Sequence, residues 1–117
     1  MSDIPEADWK VLRSLKDAAL DRLCECILAE VHAAATMPGR TNHQRYLDVY
    51  ALVQKRDKDE ADCFNDLRRS MAKTSLLHWR KHKLLTVDEW ARFSDATRAY
   101  FALWDQDPAS SYPPDQT

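Results

Sequence analysis

Between Ile4 and about Thr36 the apolar residues Trp9, Leu12, Ala19, Leu20, Leu23, Ile27, Val31 and Ala34 recur mostly at intervals of three and four. That period lays them along one face of an α-helix. Pro5 is tolerated in a first helical turn, and Glu6 and Asp8 suit the positive end of the helix dipole. The stretch closes at Met37-Pro38-Gly39-Arg40, where a proline and the only glycine of the chain stop a helix. A helix of about 30 residues is about 45 Å long. A compact chain of 117 residues needs less, so the spacing predicts that part of this face packs against a second copy in a homodimer.

Thr41 to Gln44 reads TNHQ, a capping box in which the threonine hydroxyl accepts from the third amide and the glutamine reaches back. The helix it opens carries Tyr46, Tyr50 and Val53 on one line. The same spacing then runs through Asp57 and Glu60 before returning to Phe64, Leu67 and Met71. Two acids on an apolar line predict a break or kink near Arg56 to Asp59, with Asp57 or Asp59 capping a third helix that runs to about Lys83. The alternative is one long bent helix. Thr86 to Glu89 reads TVDE, a second capping box, and predicts a fourth helix with Val87, Trp90, Phe93, Ser94, Thr97, Tyr100, Phe101 and Trp104 along one side. Beyond Trp104 the run DQDPASSYPPDQT, rich in proline and small polar residues, predicts a flexible tail over 105–117. The pattern therefore predicts an all-α fold: a single domain over 1–104, built as a bundle of three to four antiparallel helices with a very long first helix.

Composition narrows the function classes. A net charge of −2 and a pI near 6.0 give no global attraction to nucleic acid or anionic lipid, so nucleic-acid contact would need a local basic patch. The acidic opening MSDIPEADW has no signal-peptide character, and no apolar run is long enough to span a bilayer, which predicts a cytoplasmic protein without a membrane segment. Three cysteines, Cys24, Cys26 and Cys63, are an odd number without framework spacing and fit free, mostly buried thiols. Cys24 and Cys26 are two positions apart, about 200° around a helix, so they cannot share a metal or bridge to each other.

The segment SLLHWRKHKLL, Ser75 to Leu85, holds the densest candidate chemistry. His78 and His82 share a helix face and supply half of a metal site, but no spacing elsewhere supplies the remaining ligands, and the pair falls on the core stripe. Leu67 to Lys83 contains cations and no acid. On a continuous helix Arg69, Lys73, Arg80 and Lys83 line up as a stripe suited to a polyanion. The same cations follow an acidic stretch, Asp57 to Asp66, which is also the arrangement a helix dipole favours. A further polar cluster of Arg56, Asp57, Glu60, Asn65, Asp66 and Arg69 would fix helix register, bind a small anion or be solvated at a bend.

The stretches DWKVLRSLKDAALDRLCECIL, NHQRYLDVYALVQKRDKDEADCFNDLRRS and LLTVDEWARFS together resemble a family of small, uncharacterised bacterial proteins of about this length. The resemblance covers Trp9 to roughly Arg98. It implies a self-contained bacterial cytoplasmic domain and carries over no reaction, cofactor or catalytic residue. The charged run Arg56 to Ser70 matches the family's pattern, whereas HWRKH and the second cysteine of CECIL depart from it.

No nucleophile, matched acid and base, or phosphate-binding loop is apparent, so the sequence implies no cofactor and favours association over catalysis. The expected partners are a second copy or another protein docked on an exposed helix face. A nucleic-acid regulator using the basic stripe is the alternative, and a metal- or small-ligand-binding protein the third.

Overall fold

In the computed structural model, residues 3–102 are described, and among them the regular elements are all helices, without strands. Helix α1 spans Glu6–Ala35 and α2 spans Asn42–Phe64. A single 3₁₀ turn over Arg69–Met71 leads into α3, Ala72–Lys81, followed by the short α4, Val87–Trp90, and α5, Asp95–Ala102. The long first helix and both capping boxes appear where the sequence places them. Gln44 N–H donates to the Thr41 hydroxyl at 3.1 Å, and Glu89 N–H to that of Thr86 at 3.0 Å. Gly39, at φ +78°, makes the turn between α1 and α2.

Three boundaries differ from the expected ones. α2 does not break at Arg56 to Asp59 but continues to Phe64, because nothing there interrupts the backbone ladder and Arg56 braces the segment. The guanidinium of Arg56 hydrogen-bonds Asp59 one turn on, at 2.8 Å, and forms an ion pair with Glu30 of α1, at 3.2 Å. The break falls later, between Asn65 and Arg68, so α3 starts at Ala72. The anticipated fourth helix is divided into α4 and α5. Its proposed member Trp104, together with the anticipated tail, lies outside the described residues.

The molecule has two parts. In the head, α1 up to Leu23 contributes Leu12, Leu15, Ala19 and Leu23 to a core completed by Ile4, Cys63, Phe64, Ala72, Leu76, Trp79, Leu84, Leu85, Phe93 and Phe101. Trp79 sits at its centre, fully buried, with its indole N–H donating to the Cys63 carbonyl at 2.9 Å. That bond satisfies one of the carbonyls left over at the end of α2. The rest of α1 and most of α2 form an antiparallel arm that extends from the head, and from Cys24 through Asp62 no residue is buried. The overall extents of 52 × 28 × 24 Å follow from this elongation.

Polar ties anchor the short elements to α1. Asp8, 2% exposed, receives the Ser94 backbone N–H at 2.8 Å, the Ser94 hydroxyl at 2.6 Å and the Thr97 hydroxyl at 2.5 Å. A carboxylate thus caps the N-terminus of α5 from another helix, and this is why the fourth segment divides at Ser94. Arg22 grips Glu89 through both carboxylate oxygens, at 2.6 and 3.0 Å, and also donates to the Leu84 carbonyl at 2.8 Å. Arg69 donates to the Ile4 carbonyl at 3.1 Å and to Glu6 at 2.9 Å.

α3 ends in a paired hydrogen-bond motif: Lys83 N–H reaches the Arg80 carbonyl and Leu84 N–H the Trp79 carbonyl, both at 3.0 Å. Lys83 takes the left-handed conformation this motif requires, φ 58°, where glycine is the unstrained choice. Lys83→Gly is expected to stabilise the protein by about 0.5–1 kcal/mol in urea unfolding, since the side chain is exposed and its backbone strain is relieved.

Burial alone would raise the Asp8 pKa, but the two hydroxyls, the Ser94 amide and the nearby Arg98 outweigh it and hold the carboxyl below its ordinary value. A carboxylate with a depressed folded pKa stabilises the fold above its unfolded pKa, and that stability is lost as pH falls through the folded value. Asp8→Ala should therefore cost about 2–3 kcal/mol at neutral pH. It should also flatten the loss of stability below about pH 4, measured by denaturant unfolding at a series of pH values.

Candidate functional site

The histidines, cysteines and charged clusters do not converge on a reaction centre. His78 and His82 are both half-buried at the end of α3, where His82 occupies the C-cap and its N–H donates to the His78 carbonyl at 3.0 Å. Burial pushes the His82 pKa down against the opposing pull of Asp59. Among the described residues no group of three or more histidines, cysteines or acids is placed to hold a metal ion.

Cys63 is fully buried, and burial next to Asp59, Asp62 and Glu60 pushes its thiol up to about 12, which makes it inert as a nucleophile. Cys24 and Cys26 are exposed, contrary to the expectation of mostly buried thiols. They lie where α1 has left the core and only α2 accompanies it.

The expected basic stripe assumed one helix from Leu67 to Lys83, and the four cations do not share one. Arg69 lies in the 3₁₀ turn, bound to α1, and Lys83 lies beyond the end of α3. Arg80, 6% exposed, stacks over the Trp90 ring at 4.0 Å, and the Lys73 ammonium sits 4.2 Å from the centre of the Tyr100 ring. These cations serve mainly to hold α3, α4 and α5 together.

The anticipated polar cluster is likewise dispersed. Arg56 pairs with Glu30 and Asp59, Asp57 is exposed, and Glu60 is half-buried. Asn65 caps the C-terminus of α2, Asp66 pairs with Arg68 at 3.1 Å, and Arg69 binds Glu6. The aromatic face expected on the fourth helix is spent largely in the head: Phe93 and Phe101 are buried, and the half-buried Trp90 packs against both, with ring centres 5.3 and 5.6 Å away. Val87, by contrast, is exposed.

What the arm leaves open is an apolar surface. Leu28 is 66% exposed, Tyr46 65%, Tyr50 56% and Val53 41%. At 100° per residue Tyr46, Tyr50 and Val53 share one flank of α2, while Leu28, Val31 and Ala35 share one flank of α1. The two flanks are the same side of the arm, because Ala35 and Tyr46 line a common groove of about 300 Å³ with Asn42, Arg45 and Val49. The exposed side chains amount to about 400 Å², the size of the largest and often functional patch on a typical monomer. The sequence carried a sign of this surface. Asp57 and Glu60 continue the line of Tyr46, Tyr50 and Val53, and acids there are at odds with a line buried within one chain.

No helix among the described residues is long and apolar enough to cross a membrane. The chain matches no protein-family model, no curated protein and no solved structure.

A histidine whose folded pKa lies below its unfolded value gives stability that is present above the unfolded pKa and lost as pH falls through the folded one. Unfolding at pH 7.5 and pH 5.5 should show a loss of stability on acidification that His82→Gln reduces.

Proposed function

We propose that the protein is a non-enzymatic association module that docks a protein partner on the apolar flank of its arm. The observation that carries this reading is the absence of any buried residue from Cys24 through Asp62, combined with large exposed apolar side chains on one side of that stretch. A two-helix layer has a face left to cover, and helices in folded proteins cover such faces by packing on another layer. Tyr46 and Tyr50 are well suited to the centre of an interface, since each presents a rigid ring with a polar tip. Tyr50 accepts a bond at its hydroxyl from Gln54 at 3.0 Å, which leaves its ring available for contact. The engagement of Arg69, Lys73 and Arg80 inside the head also favours a protein partner over a nucleic acid.

A photo-crosslinking side chain placed at Tyr50 is expected to give discrete covalent adducts in cells, and one placed at Lys81 on the head is not. Adding Leu28→Glu should abolish the Tyr50 adducts. Their absence, or equal labelling from both positions, would remove the arm as the working surface.

A further inference from the structure

We infer that the occupant of this flank is a second copy of the chain, with the two arms packed antiparallel about a two-fold axis near Tyr50 to form a four-helix bundle. The inference rests on the arm's being an association surface and adds what covers it. Each arm is one layer of two helices, and closing a bundle takes two more of matching length, which another arm supplies.

The polar groups on the flank complement themselves in one direction of packing only. Counting seven residues from Tyr50 toward the head reaches Asp57, and seven from Leu28 in the same direction reaches Asp21. Seven from Tyr50 toward the tip reaches His43. A step of seven is about two turns and about 10.5 Å, so each of these residues stays close to the flank it started from. Asp21, His43 and Asp57 are all exposed. Antiparallel arms bring the His43 imidazole at the tip of one copy over the Asp57 carboxylate at the base of the other, whereas parallel arms set acid against acid.

The area agrees with this pairing. Two helices 8–10 Å apart and about 25 Å of arm give a face of about 500 Å² per copy, hence about 1,000 Å² in total, the lower end for a specific interface. A face of that size fits a reversible dimer rather than an obligate one.

Sedimentation of the purified full-length chain across micromolar concentrations tests the inference. A concentration-dependent dimer is expected, weakened at least about tenfold by Tyr50→Glu and separately by Leu28→Glu, with circular dichroism confirming that both variants keep their helix content. In a background of Cys24→Ser and Cys26→Ser, a mixture of His43→Cys and Asp57→Cys chains should crosslink through a short bifunctional reagent, and His43→Cys alone should not. A chain that stays monomeric, or a dimer that both glutamate variants leave intact, overturns the inference. Crosslinking of His43→Cys to itself overturns the antiparallel packing. If the chain is monomeric while the Tyr50 crosslinker still gives adducts to a different protein in cells, the docking surface stands and only the second copy falls.

Discussion

The head is assembled around Trp79. Its indole N–H is committed to the Cys63 carbonyl, and its ring lies 5.4 Å from that of Phe64, so a single buried side chain joins the end of α2 to the last turn of α3. That bond relieves the unmet acceptors that any helix end presents, and it does so inside an apolar core where an unmet carbonyl would be expensive. Where α2 stops, and therefore how much of it stands clear of the head, is decided there. The arm is in this sense a product of the core: the packing that holds residues 63 and 64 leaves the preceding turns with α1 as their main neighbour.

α1 acts as the platform for everything after α2. Helices as short as α4 and α5 do not persist alone in water. Each is held by a tie to α1 from far along the sequence, α4 through the paired hydrogen bonds between Arg22 and Glu89, α5 through Asp8 at the amide of Ser94, the residue that precedes it. Glu89 serves two roles, closing the box with Thr86 and receiving Arg22, and these bonds outweigh its burial and keep its pKa below the ordinary range. The anchoring residues lie at Asp8 and Arg22, within the same stretch of α1 that supplies the core. The rest carries no such ties to the short elements and is free to pair with α2.

Local signals in the sequence were reliable and long-range ones were not. Both capping boxes and the stop at Gly39 are visible because their partners lie within a few residues. The division at Ser94 has a local sign that helical periodicity passes over, since the Ser94 hydroxyl accepts the Thr97 N–H at 3.3 Å, but the carboxylate that holds Ser94 in place, Asp8, lies eighty-six positions away. The end of α3 misleads for a related reason: Lys83 occupies a site that glycine usually fills, held there by the burial of Trp79 and Leu84 on either side of the motif. Helical periodicity located the apolar positions of α2 but could not say which would be covered. Phe64 and Tyr50 belong to the same line, yet one is in the core and the other in solvent, because only the last turn of α2 reaches the head. The cationic stripe failed in the same way, since its alignment required a helix through residues that instead form a bend and a 3₁₀ turn.

α1 passes from head to arm without a cap, a proline or a glycine at the junction. An unbroken helix has no hinge there, because kinks arise at prolines, at bulges or where the ladder is interrupted. The arm is therefore a lever whose fulcrum is the core: its tip cannot swing without tilting the same rod that holds Asp8 against α5. A load applied near Arg40 is delivered to the far end of the head as torque, and the direction in which one arm points is set by where the other helices grip its root.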